Sequence, residues 1–172
     1  MYQVDEYKKS LKHVVDKDGL SVYEFKPCPF QLLAIPFEKL RFVRRVRLLL
    51  EYLRGRYKVY YLAIEGRVVG YCVITPGGRR LKCSNKNDAV IGPYYICQEN
   101  RGQGLSKKMI AMVLGICKEQ FESVYAWVDK TNTPSIRCLE ACGFMPVGRL
   151  DVVGLFRRLL INPNGTDIIY KK

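Results

Sequence analysis

The chain has 172 residues, a formal net charge of +13 and a hydrophobic share of 48%. That length suits one domain with a sizeable core, and that apolar share excludes a disordered chain. No apolar run approaches the ~20 residues needed to span a bilayer, and the stretch Met1-Tyr2-Gln3-Val4-Asp5-Glu6 has no basic segment followed by an apolar one, so a cytoplasmic protein with no membrane attachment is expected. The positive charge favours anionic partners, either nucleic acid or a phosphorylated small molecule, beside its plain role in solubility.

In chain order, 1–17 is polar and mixed, and its elements are not placed. Asp18-Gly19 is a turn, and the alternating run Leu20-Ser21-Val22-Tyr23-Glu24-Phe25 is the first strand. The spacing of Leu40, Val43, Val46, Leu50 and Leu53 predicts a helix over 36–54 with those residues facing the core. Eight basic residues and two acids make 38–58 strongly positive: a solvated helix face, or a docking surface for an acidic substrate. Two β-rich runs, 57–64 and 67–75, flank Glu65-Gly66, a hairpin turn. A polar loop follows, then a strand over 88–97 and a helix within 102–120, with Leu105, Met109, Met112 or Val113, and Ile116 inward.

The remaining segments are a strand at 123–128, a short helix at 135–142 and a strand at 144–153. Asn132 or Thr133 caps that helix, Pro134 fits its first turn and Gly143 ends it. The runs 155–161 and 167–170 bracket Asn162-Pro163-Asn164-Gly165, read as a hairpin turn. The seven cysteines are an odd number, several of them inside apolar elements (Cys72, Cys97, Cys117), which suits reduced thiols. With one histidine in the chain, the Cys138–Cys142 spacing makes no convincing metal site, and no metal is expected.

The most informative stretch is Arg101-Gly102-Gln103-Gly104-Leu105-Ser106, between a strand and a helix. Its glycines allow several N–H groups to point one way, and the helix N-terminus adds partial positive charge, so the turn suits phosphate or pyrophosphate. Leu105 after Gly104 excludes the P-loop, and Lys107 excludes the third glycine of the dinucleotide fingerprint. Arg101, Gly104 and Ser106 fit R/Q-x-x-G-x-G/A, with Ser in the last place. By itself this short motif also fits a tight strand-to-helix turn with no ligand.

This loop resembles the acetyl-CoA pyrophosphate loop of the GNAT superfamily of acyl-CoA N-acyltransferases. A second stretch, Asn132-Thr133-Pro134-Ser135-Ile136-Arg137-Cys138-Leu139-Glu140-Ala141-Cys142-Gly143-Phe144, is similar to that superfamily's N-x-x-S-I-x-x-L-E-x-x-G-F segment, and it follows the loop in the expected order. The resemblance covers 57–148 and implies a single domain over 1–172. Its fold would be mixed α/β, a mostly antiparallel sheet splayed in a V around the CoA site, with helices on both faces.

The resemblance further implies that pantetheine amides pair with the backbone of Tyr95, Ile96 and Cys97. The pyrophosphate would accept from the N–H groups of Gly102, Gln103, Gly104, Leu105 and Ser106, with Arg101 as a further cofactor-binding residue and Lys107 or Lys108 near the phosphates or simply solvated. Asn132 would bond the pantetheine arm. Acetyl-CoA is the implied cosubstrate and a primary amine the acceptor, attacking directly in a ternary complex. A backbone N–H near Ile96 would polarise the thioester carbonyl.

Asp88 stands where some members carry a glutamate base, or else it caps the loop at Lys86-Asn87. Glu24 is a second candidate base, read first as a solvated face residue. The phenol that many members use as leaving-group acid is replaced by Leu139. Ser135 then bonds the CoA sulfur or caps its helix. An anionic acceptor fits the basic segment. A non-catalytic CoA-binding domain and a basic nucleic-acid-associated protein are the alternatives. Monomer and homodimer both stay open, the latter through the terminal hairpin.

Overall fold

The computed structural model describes residues 2–35, 46, 48–50, 52–53, 57–78, 81, 83–154 and 158–172. They group into two compact units, Met1–Ile74 with Pro93–Leu105 and Thr75–Gly92 with Ser106–Lys172. Each is built on an open, mostly antiparallel sheet, so the chain is mixed α/β as expected.

The first unit contains β1 (Tyr2–Gln3), β2 (Lys12–Lys17), β3 (Leu20–Phe25), β4 (Lys58–Ile64), most of β5 (Arg67–Pro76) and the end of β6 (Ala89–Ile96). Its order is β2-β3-β4-β5-β6, with β1 also on β5 through Tyr2↔Val68. The unplaced segment 1–17 thus supplies two strands. Two-residue turns close β2–β3 and β4–β5. Asp18 and Gly19 sit at φ 52 and 75, Glu65 and Gly66 at φ 46 and 74, the left-handed pair that matches the twist of a hairpin.

Strand β4 buries Val59, Tyr60, Tyr61, Leu62 and Ala63 almost completely, as a strand covered on both faces must. Val59, Tyr61, Tyr71 and Val73 form a core with Phe25, Ala34 and Ile35. The Tyr61 hydroxyl accepts from the Ile35 N–H at 3.1 Å and the Tyr57 hydroxyl donates to the Leu32 carbonyl at 2.7 Å, which ties 32–35 to the sheet. Burial pushes the Tyr61 phenol far above its ordinary value, so it stays neutral.

Of the helix expected over 36–54, residues 46, 48–50 and 52–53 are helical, and the rest lies outside the described residues. Its inward stripe differs from expectation. Leu48 and Tyr52, four apart, pack on the core, whereas Leu53 is 66% exposed. Lys39, Arg41, Arg44, Arg45, Arg47, Arg54 and Arg56 of the basic segment also lie outside the described residues.

The second unit holds the start of β6, helix α1 (Leu105–Cys117) from Ser106 onward, β7 (Val124–Asp129), helix α2 (Thr133–Ala141), β8 (Met145–Val153), β9 (Arg158–Ile161) and β10 (Asp167–Lys171). Strand β6 runs parallel to β7 at Ala89↔Val124 and Val90↔Tyr125, and α1 makes the crossover that a parallel pair needs. The remaining pairs are antiparallel, in the order β7-β10-β8-β9.

That order corrects the hairpin expected around 162–165. Strand β9 pairs with β8 through Leu150↔Ile161, and β10 lies on the other side of β8, between it and β7. The turn itself forms, with the Gly165 N–H donating to Asn162 O at 2.9 Å, but it carries the chain across the end of β8. Asp151 holds the crossing by accepting from the Asn162 side chain and from the Thr166 N–H. Burial explains the choice of partner. Asp167, Ile169 and Tyr170 of β10 are buried, while Leu160 and Ile161 of the short edge strand β9 are about half exposed.

All seven cysteines are free thiols. Cys72, Cys117 and Cys142 are buried, Cys97 and Cys138 half-buried, Cys28 and Cys83 exposed. Among the described residues no helix is long and apolar enough to cross a membrane.

Two glycines separate packing from propensity. A Cβ on Gly165 would collide with the Leu150 backbone, whereas one on Gly115 of α1 would meet nothing within 4 Å. Gly165→Ala is expected to destabilise the fold by about 2–3 kcal/mol, and Gly115→Ala to stabilise it by up to ~1 kcal/mol. Urea unfolding of both variants checks this, and equal effects would show that the crossing is not tightly packed.

Candidate functional site

Strand β6 leads into the glycine loop. After Ile96 the chain makes a short 3-10 turn, Gln98–Asn100, closed by the Asn100 N–H on Cys97 O and the Arg101 N–H on Gln98 O. Gly102 and Gly104 have φ 81 and 69, with nothing within 4 Å of where a Cβ would stand. These glycines therefore serve backbone direction rather than space. Leu105, 4% exposed, anchors the start of α1. The first N–H groups of that helix have no intrahelical acceptor. Its first turn holds no acid, and Lys107 and Lys108 are exposed there. Donors, dipole and lysines together suit an anion.

The end of β6 separates three residues that the sequence treats alike. The Cys97 N–H donates to Val69 O at 2.8 Å and so faces β5. Alternation along the strand sends the Ile96 amide to the other edge, and the Ile96 carbonyl accepts from Arg101 Nε at 3.1 Å. The Tyr95 ring stacks on Tyr71, centroids 6.0 Å apart, with the Arg101 guanidinium 5.3 Å from its centroid. Of the expected pantetheine partners, Ile96 presents its backbone away from β5, whereas the Cys97 N–H is already bonded.

Gly92-Pro93 interrupts the middle of β6. Gly92 has φ 118, and Pro93 has no N–H to donate. The ladder to β7 reaches from the Ala89 N–H on Ser123 O to Val90↔Tyr125 and extends no further among the described residues. A glycine-proline pair inside a β-rich run is the signal that marks such a break.

Asp88 is 3% exposed. Its Oδ2 accepts from the Asn85 N–H at 2.6 Å and its backbone oxygen from the Gly77 N–H at 2.7 Å. The capping alternative thus has its hydrogen bonds, closing the loop one residue earlier than Lys86-Asn87.

Glu24 departs from its expected solvated place. It is 9% exposed, on the same face of β3 as buried Leu20 and Val22. Its carboxylate accepts from the Tyr60 hydroxyl at 3.0 Å and pairs with Lys58 at 3.1 Å and Lys26 at 3.7 Å. Burial pushes its pKa up. The hydrogen bonds from Lys58 and Tyr60, with the charges of Lys58 and Lys26, outweigh burial and hold the pKa below the usual glutamate value. The i, i+2, i+4 alternation already put Glu24 on the buried face, so this signal was present in the sequence.

In the second unit, Thr131 bonds Asp129 Oδ1 through its N–H and its hydroxyl. The Asn132 side-chain oxygen then accepts from the Ser135 N–H at 3.3 Å and caps α2. Asn132 is exposed and Ser135 half-buried. Leu139, 1% exposed, belongs to the core. The Tyr170 hydroxyl donates to Glu140 at 3.2 Å, the Lys172 ammonium donates to the Cys142 carbonyl, and Gly143 ends the helix at φ 82. Among the described residues no group of three or more His, Cys, Asp or Glu side chains is placed to hold a metal ion.

The model of the acetyltransferase (GNAT) family matches residues 24–144. The chain belongs to this family of acetyltransferases. Solved structures share the fold. A protein of Bacillus halodurans aligns over 94% of this chain and 89% of its own at 18% identity, TM-score 0.65. A GNAT family acetyltransferase of Elizabethkingia anophelis with acetyl-CoA bound aligns over 90% and 98% at 15% identity, TM-score 0.60. The yncA protein of Salmonella typhimurium, solved with its cofactor acetyl-CoA, aligns over 90% and 94% at 18% identity, TM-score 0.58. No curated protein sequence matches the chain.

The Glu24 cluster has a pH signature. A pKa lowered on folding contributes stability that is present above the unfolded-state pKa and is lost as pH falls through the folded-state one. Glu24→Gln is expected to cost about 1–3 kcal/mol at neutral pH, and the gap to wild type should close as pH drops below the glutamate range. Denaturant unfolding across that range tests it; a gap independent of pH would rule the charge out as the cause.

Proposed function

We propose that this protein transfers the acetyl group of acetyl-CoA to a primary amine by direct attack within a ternary complex. The observation that carries the proposal is the Arg101–Ser106 turn, with two left-handed glycines leading into a helix start rich in donors and free of acids. Family membership supports acetyl transfer in general, and a match over 24–144 includes parts of both units, which supports one catalytic domain.

In this mechanism the pyrophosphate accepts from the N–H groups of Gly102 to Ser106. The pantetheine arm pairs with the edge of β6 that presents the Ile96 amide. Asn132 offers its side-chain NH2 to the same arm, because its oxygen already caps α2. The amine nitrogen attacks the thioester carbon, the C–N bond forms, the C–S bond breaks, and one proton passes from nitrogen to the leaving thiolate. A backbone N–H near Ile96 polarises the carbonyl. Asp88 accepts the amine proton, directly or through water, on its way to the thiolate. Ser135 bonds the leaving sulfur, since Leu139 provides no phenol. The basic segment favours an anionic acceptor.

A second reading, CoA binding without turnover, draws on two observations: the Asp88 carboxylate already closes a loop, and Leu139 is buried in the core. Acetyl-CoA titrated with an amine panel that includes anionic amines, followed by thiol release, decides between them. Release with at least one amine is expected; binding with no release from any would establish the second reading. Gly104→Ala, which forces a Cβ into a left-handed backbone, should weaken acetyl-CoA about fivefold to tenfold. Ser135→Ala should lower kcat while leaving the dissociation constant near wild type, and a loss confined to affinity would place Ser135 in binding alone.

A further inference from the structure

Arg101 is the first residue of the loop, and its side chain turns back toward the strand it follows. Its Nε donates to Ile96 O at 3.1 Å and its guanidinium carbon stands 5.3 Å from the Tyr95 ring centroid. Tyr95 stacks on Tyr71 at 6.0 Å, and Tyr71 meets Tyr61 at 6.5 Å, so the cation sits at the end of a file of tyrosines. Tyr61, at the far end, is fully buried and bonded to Ile35. All of these residues belong to the first unit.

We infer that Arg101 is a positioning residue, which fastens the glycine loop to the end of β6 through Tyr95 and Ile96 rather than binding a phosphate with its guanidinium. Gly102 and Gly104 have no neighbour within 4 Å of a Cβ position, so no packing at those positions holds the turn. Two glycines on a free loop sample many conformations, and ordering them on binding costs affinity. The Arg101 N–H on Gln98 O and the Arg101 Nε on Ile96 O fix the residue that enters the loop, on its main chain and its side chain. The N–H groups that follow are then aimed before any anion arrives. The ring face of Tyr95 and the carbonyl of Ile96 are suited to a planar guanidinium, and a lysine ammonium does not reproduce that fork. The inference deepens the acetyl-CoA proposal and rests on it for its ligand.

The test uses the full chain with Arg101→Ala, Arg101→Lys, Tyr95→Leu and the Arg101→Ala/Tyr95→Leu pair. Hydrogen exchange of the amides of 102–106, measured without ligand, is expected to speed up in all four. Acetyl-CoA affinity should fall about tenfold in each single variant, and the pair should be hardly worse than either, because both remove the same fastening. Arg101→Lys should not rescue affinity. The slope of log affinity against log salt should match wild type, since no phosphate contact is lost.

Unchanged exchange with weakened affinity, a flattened salt slope and rescue by lysine would overturn the inference in favour of a phosphate contact. Unchanged exchange and unchanged affinity would overturn it outright. The exchange measurement needs no acetyl-CoA, so a protein that fails to bind acetyl-CoA refutes the functional proposal while exchange still decides the role of Arg101.

Discussion

Everything in this chain depends on how β6 spends its hydrogen bonds. Its first residues, Ala89 and Val90, pair with β7, and at its far end the Cys97 N–H bonds Val69 of β5. Between them, Gly92 adopts φ 118 and Pro93 lacks a donor. A regular strand would continue both ladders and saturate its own edges. This one cannot: it stays beside β5, from the Gly77 N–H on Asp88 O to the Cys97 N–H on Val69 O, while its ladder to β7 stops at Val90. The residues beyond the break carry the Ile96 carbonyl, the Tyr95 ring and the glycine loop.

The surrounding structure supplies rigidity for that irregular strand. The first unit does so with aromatic rings and phenols held by specific hydrogen bonds, such as Tyr61 with Ile35 and Tyr57 with Leu32. Stacked and edge-to-face ring pairs contribute about 0.5–1.5 kcal/mol beyond the area they bury. The second unit relies on short polar clusters at chain reversals. Asp129 orders the entry to α2, Asp151 the crossing beneath β8, and Asp88 the loop ahead of β6. In each, an aspartate accepts backbone N–H groups that would otherwise lack partners.

Much of this was legible in the residues themselves. Left-handed pairs such as Glu65-Gly66 announce their hairpins, and Asn132 with Pro134 announces a helix start, because these depend on neighbours in sequence. The glycine loop was legible by elimination and by its match to R/Q-x-x-G-x-G/A. Decisions made across the fold were not. Turn chemistry at Asn162–Gly165 is sound, yet it does not say that β10 slots between β7 and β8, because strand pairing is chosen by burial of Ile169 and Tyr170 against distant segments. Glu24 departs from expectation for the opposite reason. Its alternation points inward, and Lys58 and Tyr60 supply the partners that let a charged carboxylate follow it.

The distribution of thiols has a practical consequence. Five of the seven cysteines are buried or half-buried, and the two exposed ones fall one in each unit, Cys28 in the first and Cys83 in the second. The Cys83 thiol is pushed up, mainly by burial of its sulfur environment, so at neutral pH it yields less thiolate than an ordinary cysteine. Raising the pH therefore speeds alkylation of Cys83. The unaltered chain offers one exposed thiol for a fluorophore on each unit, with no engineered cysteine.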